Sequence, residues 1–175
     1  MSSTETAAAP GLRQIALGEL EHELATTRRL LERVPGDKLD WKPHPKSFSL
    51  GQLAQHVAQL SFWITHTLAQ DFFDVTAPFP RAEPAKSTQE LLDIFDQKSA
   101  EMLQALGAAD DAALMRPWQM RKGEQVLQTM PTLAVLRTIG LNHIIHHRGQ
   151  LSVYLRLLDV PLPMMYGPTA DERGF

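Results

Sequence analysis

Between Leu12 and Val34 the apolar residues Leu12, Ile15, Ala16, Leu20, Leu24, Leu30, Leu31 and Val34 recur mainly at threes and fours, with charges between them. This spacing predicts a long amphipathic helix that Pro35-Gly36 ends. The connector from Asp37 to Pro45 carries alternating prolines that keep it extended. Ser49-Leu50-Gly51-Gln52 has the form of a capping box and opens a second helix, predicted over 50–70. Residues 71–86 hold Pro78, Pro80 and Pro84, lack helical periodicity, and read as a loop. A further capping box, Ser87-Thr88-Gln89-Glu90, starts a third helix that runs to Gly107. Residues 108–130 are the least regular. Within them, Trp118-Gln119-Met120 and Gln125-Val126-Leu127 flank Arg121-Lys122-Gly123-Glu124, a pattern that suits a short hairpin. Pro131 marks the start of a fourth helix, predicted over 132–158, and the proline-rich ending is irregular.

Four long helices and no sustained strand alternation imply an all-α fold, a four-helix bundle with long second and third connections and a short hairpin before the last helix. At 175 residues the chain has the size of one domain. We expect a loose tail over 1–10 and a single domain over 11–175.

The apolar stripes also carry histidines. In helix 2, Leu53, His56, Leu60 and Trp63 share one face; in helix 4, Leu136, Gly140, His143, His147, Leu151, Tyr154 and Leu158 do. Residues four apart on a helix lie about 6 Å along the axis and about 40° around it from each other, so two such rings can converge on one ion. A lone inward histidine such as His56 is more commonly a hydrogen-bonded core residue than a ligand, and spacings of four arise by chance. His146, three after His143, forms a competing pair, but His147 continues the stripe and His146 is rotated off it. His66 is expected at the surface or rim, His22 and His44 as structural or exposed residues. Gly140 would let another element or a ligand come close.

Other candidates have plainer readings. Arg148 is more readily an ion-paired or solvated helix arginine than an anion ligand, and Gln150 is equally ambiguous. Trp41, Trp63 and Trp118 read as core or interface anchors. Asp110-Asp111 read as a charged loop surface, and Asp171-Glu172 as solvent-facing.

Composition narrows the chemistry. There is no cysteine, which excludes disulfides, cysteine nucleophiles and a thiolate-closed zinc site, and fits a cytoplasmic protein. Three imidazoles would instead describe a centre with an open position. A net charge of -3 and a pI near 6.1 argue against nucleic-acid binding. No apolar run is long enough for a membrane span, and the first residues lack the form of a signal peptide.

Three stretches together resemble the DinB-like (DinB/YfiT) superfamily, a group of candidate metalloenzymes distinct from the DNA polymerase of similar name. They are WKPHPKSFSLGQLAQHV from Trp41, NHIIHHRGQL from Asn142, and YGPTADE from Tyr166. The resemblance implies up-down-down-up connectivity, a homodimer, and a divalent ion held by His56, His143 and His147. It also implies chemistry on a small-molecule substrate, some relatives being S-transferases or isomerases that use low-molecular-weight thiols. The expectation is therefore a metal-dependent hydrolase or thiol S-transferase using zinc, nickel or iron. The rival is a non-catalytic dimeric bundle that binds a small molecule or partner protein around a structural ion.

Overall fold

The structure, a computed structural model, describes residues 9–78 and 82–173. The expected tail over 1–10 lies outside the described residues except for its last two positions.

Helix α1 spans Leu12–Leu31. Its first free amides are met by Asp111, whose carboxylate accepts from the backbone N–H of Leu12 at 3.2 Å and of Arg13 at 3.1 Å. Asp110 accepts from Ala113 N–H at 2.7 Å and caps the short helix α5, Asp111–Met115. The two acids expected as plain loop charges are therefore helix caps. A turn of 3₁₀-helix at Gly36–Lys38 follows α1.

The helix expected over 50–70 is two helices, α2 at Leu50–Gln59 and α3 at Phe62–Ala69. Its start is as read: Gln52 N–H donates to Ser49 Oγ at 3.2 Å, and Ser49 N–H donates to Gln52 Oε1 at 2.8 Å. The break at Leu60-Ser61 uses tighter bonds, Leu60 N–H to the Val57 carbonyl and Trp63 N–H to the Leu60 carbonyl. Aromatic and β-branched residues crowd the stretch Phe62-Trp63-Ile64-Thr65, and such side chains hold helical geometry weakly. Helix α4 covers Thr88–Ala108, with Ser87 Oγ accepting from Glu90 N–H at 3.1 Å.

The all-α expectation needs correction, because a small three-stranded mixed sheet accompanies the helices. Strands β2 (Pro117–Lys122) and β3 (Gln125–Pro131) form the expected hairpin, and Gly123 supplies the positive φ of 57° that its tight turn requires. The register shift between Met120 and Arg121 places an extra residue in β3. Strand β1 (Phe72–Asp74) pairs in parallel with β2, so part of the expected 71–86 loop is sheet. The Asp74 carboxylate accepts from Gly123 N–H at 3.1 Å and from Thr76 N–H at 2.9 Å, tying β1 to the hairpin turn. Trp118 anchors the sheet by full burial.

The last helix is also less regular than its sequence implies. It begins as α6 (Thr132–Val135), widens into a π-helical segment at Leu136–Leu141, and continues as α7 (Asn142–Leu157). Helix α4 packs against α1, α2 and α3, while α7 packs against α2 and α1. Leu24, Leu31, Leu53, Phe95, Met102 and Leu151 belong to the shared core. Among the described residues, no helix is long and apolar enough to cross a membrane.

Candidate metal centre

His56 lies on α2 and His143 and His147 lie one turn apart on α7, so the α2–α7 packing decides whether they meet. They do meet. One nitrogen from each ring falls within 4.8 Å of one from each of the others. The ring centroids are 4.4 Å apart for His56 and His147, 5.2 Å for His56 and His143, and 4.7 Å for the α7 pair. Among the described residues no carboxylate joins this group. Nitrogens at this spacing can hold a metal ion.

Partial burial sets the protonation of the cluster. His56 is pushed down to about 4 by desolvation first, and then by its neighbours His147 and His143. His143 and His147 are also lowered, again chiefly by burial. Neutral imidazoles at neutral pH follow, and the neutral ring is the form that ligates.

Two of the rings are held by carbonyl oxygens. His147 Nδ1 lies 2.7 Å from Gln150 Oε1, which engages one nitrogen and leaves Nε2 available. His143 hydrogen-bonds the backbone carbonyl of Ile139, within the π-helical segment. Such partners orient a ligating imidazole and raise its basicity. Ile139 carries no signature in the sequence, because its role belongs to the backbone. Gln150 was visible at three residues from His147, but only the structure chooses His147 as its partner.

The remaining candidates fall elsewhere. His146 packs on His147 at 4.8 Å yet stays outside the three-nitrogen group, as the helix-face argument expected. His22 and His44 are exposed, and His44 Nδ1 accepts from Lys46 N–H at 3.2 Å. His66 is more enclosed than the rim position expected of it. It sits among Phe62, Trp63 and Phe73, with Nδ1 buried and its pKa lowered by desolvation.

Arg148 points away from the triad into the core, where only 1% of its side chain is exposed. It pairs with the Glu23 carboxylate at 2.6 Å, donates to the Glu23 carbonyl and Thr27 Oγ1 at 3.1 Å, and meets the Tyr166 hydroxyl. Asp171 and Glu172 do not reach the histidines either. Instead of facing solvent freely, Asp171 accepts from Arg156 and from Leu162 N–H, and Glu172 accepts from Arg29, Arg33 and Met164 N–H. These contacts fasten the C-terminal segment across α1 and α7. Of the tryptophans, Trp118 is core, Trp41 packs edge-on against Tyr154 at 5.8 Å, and Trp63 lines a cavity beside His56.

Residues 14–173 match the DinB family. The chain belongs to this family. It is 28% identical over 153 residues to the uncharacterized protein YrdA of Bacillus subtilis, a similarity that covers 87% of this chain and 86% of that protein. Among solved structures, a DinB-like protein of Bacillus cereus ATCC 10987 superimposes with a TM-score of 0.71 at 23% identity, covering 87% of this chain and 97% of its own. The DinB-like protein YjoA of Bacillus subtilis gives 0.68 at 20% identity, covering 86% and 96%. At these identities the two structures establish that the DinB fold is shared.

Proposed function

We propose that this DinB-family protein is a metal-dependent enzyme acting on a small molecule, with His56, His143 and His147 as the ligands of one divalent ion. The observation that carries this reading is the convergence of three neutral imidazole nitrogens within 4.8 Å beside a cavity of about 580 Å³. A donor set of three nitrogens leaves at least one position of a four-coordinate ion for water or substrate. Zinc, nickel and iron suit imidazole donors. Bound there, the ion would lower the pKa of a coordinated water for hydrolysis or hold a substrate thiolate for transfer.

The chain's own residues supply orientation and a sheltered approach. Gln150 and the Ile139 carbonyl fix two rings, and the apolar side chains next to His56 and His143 limit water around the reacting atoms. The mutual packing of α1, α2 with α3, α4, and α7 supports a four-helix bundle forming one domain, and membership of the DinB family supports reading its connectivity as up-down-down-up.

Elemental analysis of protein purified without an affinity tag tests the reading. Stoichiometric metal is expected in the wild type and is lost in His143→Ala and His147→Ala. Undiminished metal in both variants overturns it. A screen of thiol conjugates and ester substrates on the loaded protein then separates transferase from hydrolase.

A further inference from the structure

The cavity next to the triad has a volume of about 580 Å³, within the range of sites that enclose small organic ligands. His56 and His143 form one side of it, and Leu60, Trp63, Phe73 and Val75 line much of the rest. Trp63 and Phe73 stand edge to face with centroids 4.8 Å apart, and Phe62 lies 6.0 Å from Trp63. These rings come from different elements. Trp63 belongs to α3, whereas Phe73 belongs to β1 and is held in place by the parallel register that sets it opposite Met120 of β2. The unexpected strand therefore completes an aromatic wall beside the histidines.

Among the described residues, polar chemistry in the cavity is sparse. Beyond the two histidines, the described lining offers the Gln59 amide and Lys98, whose ammonium is already paired with Glu101 at 2.8 Å. A phosphorylated or sugar-like ligand loses many water contacts on binding and needs matching partners for each. This wall offers few. It favours instead a ligand whose affinity grows with the apolar area it removes from water.

Resting on the metal-site reading above, we propose that the substrate is a hydrophobic, ring-bearing small molecule. Its apolar body lies against Trp63 and Phe73, and its reactive group is presented to the His56–His143 side of the cavity.

The test is a titration of the full-length metal-loaded protein with acetohydroxamate, benzohydroxamate and 2-naphthohydroxamate, which share a metal-binding head and differ in their apolar body. The dissociation constant should fall at least fivefold at each step. Ala77 and Ala82 are themselves exposed and border the cavity. Ala77→Trp and Ala82→Trp should therefore cut the naphthyl advantage over acetohydroxamate at least fivefold while leaving metal content unchanged. If either variant fails to fold, Phe73→Ala must lower the same advantage in its place. A series without size dependence overturns the proposal, and so does a naphthyl advantage untouched by these substitutions. Metal content measured on the same samples separates the two readings. Full metal with a flat series sinks the substrate class alone, whereas size-dependent binding to protein without metal sinks the metal site alone.

Discussion

Gly140 and Ile64 approach each other so closely that a β-carbon on the glycine would stand 2.6 Å from Ile64 Cγ1. The contact joins the π-helical segment to α3 and lies one turn before His143. A methyl group there must push apart two elements that both border the triad. Gly140→Ala should destabilise the protein by about 1–3 kcal/mol through overpacking, despite a helix-propensity gain of up to about 1 kcal/mol. It should also weaken metal binding, because His143 moves with the segment. Chemical denaturation and metal titration check both effects. Adding Ile64→Ala should restore part of the loss of affinity if the clash is its cause.

Gln150 offers a cleaner probe of the triad, since it is exposed and its amide oxygen faces His147 Nδ1 at 2.7 Å. Gln150→Leu removes the acceptor without opening the core. Metal affinity should fall about 10- to 100-fold with the melting temperature nearly unchanged. Equal affinity in the two proteins would show that His147 needs no such support.

Acid should loosen the metal-stripped protein through His56. Its folded pKa is pushed down to about 4, against an ordinary value of 6.5. Between these values the unfolded chain binds more protons than the folded one, so stability rises with pH through the window and is lost as pH falls from about 6.5 towards 4. The ring is only half buried, so the change should be of order 1–2 kcal/mol, below the full linkage value. Melting curves of chelator-treated protein across that range measure it. His56→Gln should flatten the curve.

The three histidines were legible because a helix face is a local property. His56 shares its stripe with Leu53, and His143 and His147 share theirs with Leu151, so period alone set them inward. What brings α2 against α7 is non-local. The same distinction explains the fold. The Ser49 capping box and the Gly123 turn are short-range patterns and were readable, whereas β1 is three residues long and exists through its pairing with β2, some 47 positions away. The break at Ser61 and the π-helical turn left no mark in the apolar spacing. The π-helical segment meets α3 at the close approach of Gly140 to Ile64, a contact that no single segment encodes. Asp111 was misread for a related reason, because the helix it caps begins 99 residues earlier.

Arg148 follows His147 directly, yet its work is to hold α7 to α1. Its guanidinium is buried, paired with Glu23 and bonded to Thr27 Oγ1, and Glu23 in turn accepts from the Tyr166 hydroxyl at 2.9–3.0 Å. Removing one charge would strand the other inside the protein, which costs about 3–5 kcal/mol. Arg148→Met should therefore unfold at markedly lower denaturant, read by circular dichroism. Combining it with Glu23→Gln relieves the stranded carboxylate, so the double variant should be more stable than Arg148→Met alone. Were the single substitution harmless, the pair would contribute little to the α1–α7 contact. The position of the two α7 histidines would then rest on apolar packing around Leu151 and Leu155, and Leu151→Ala, rather than Arg148→Met, would be the change that disperses the triad.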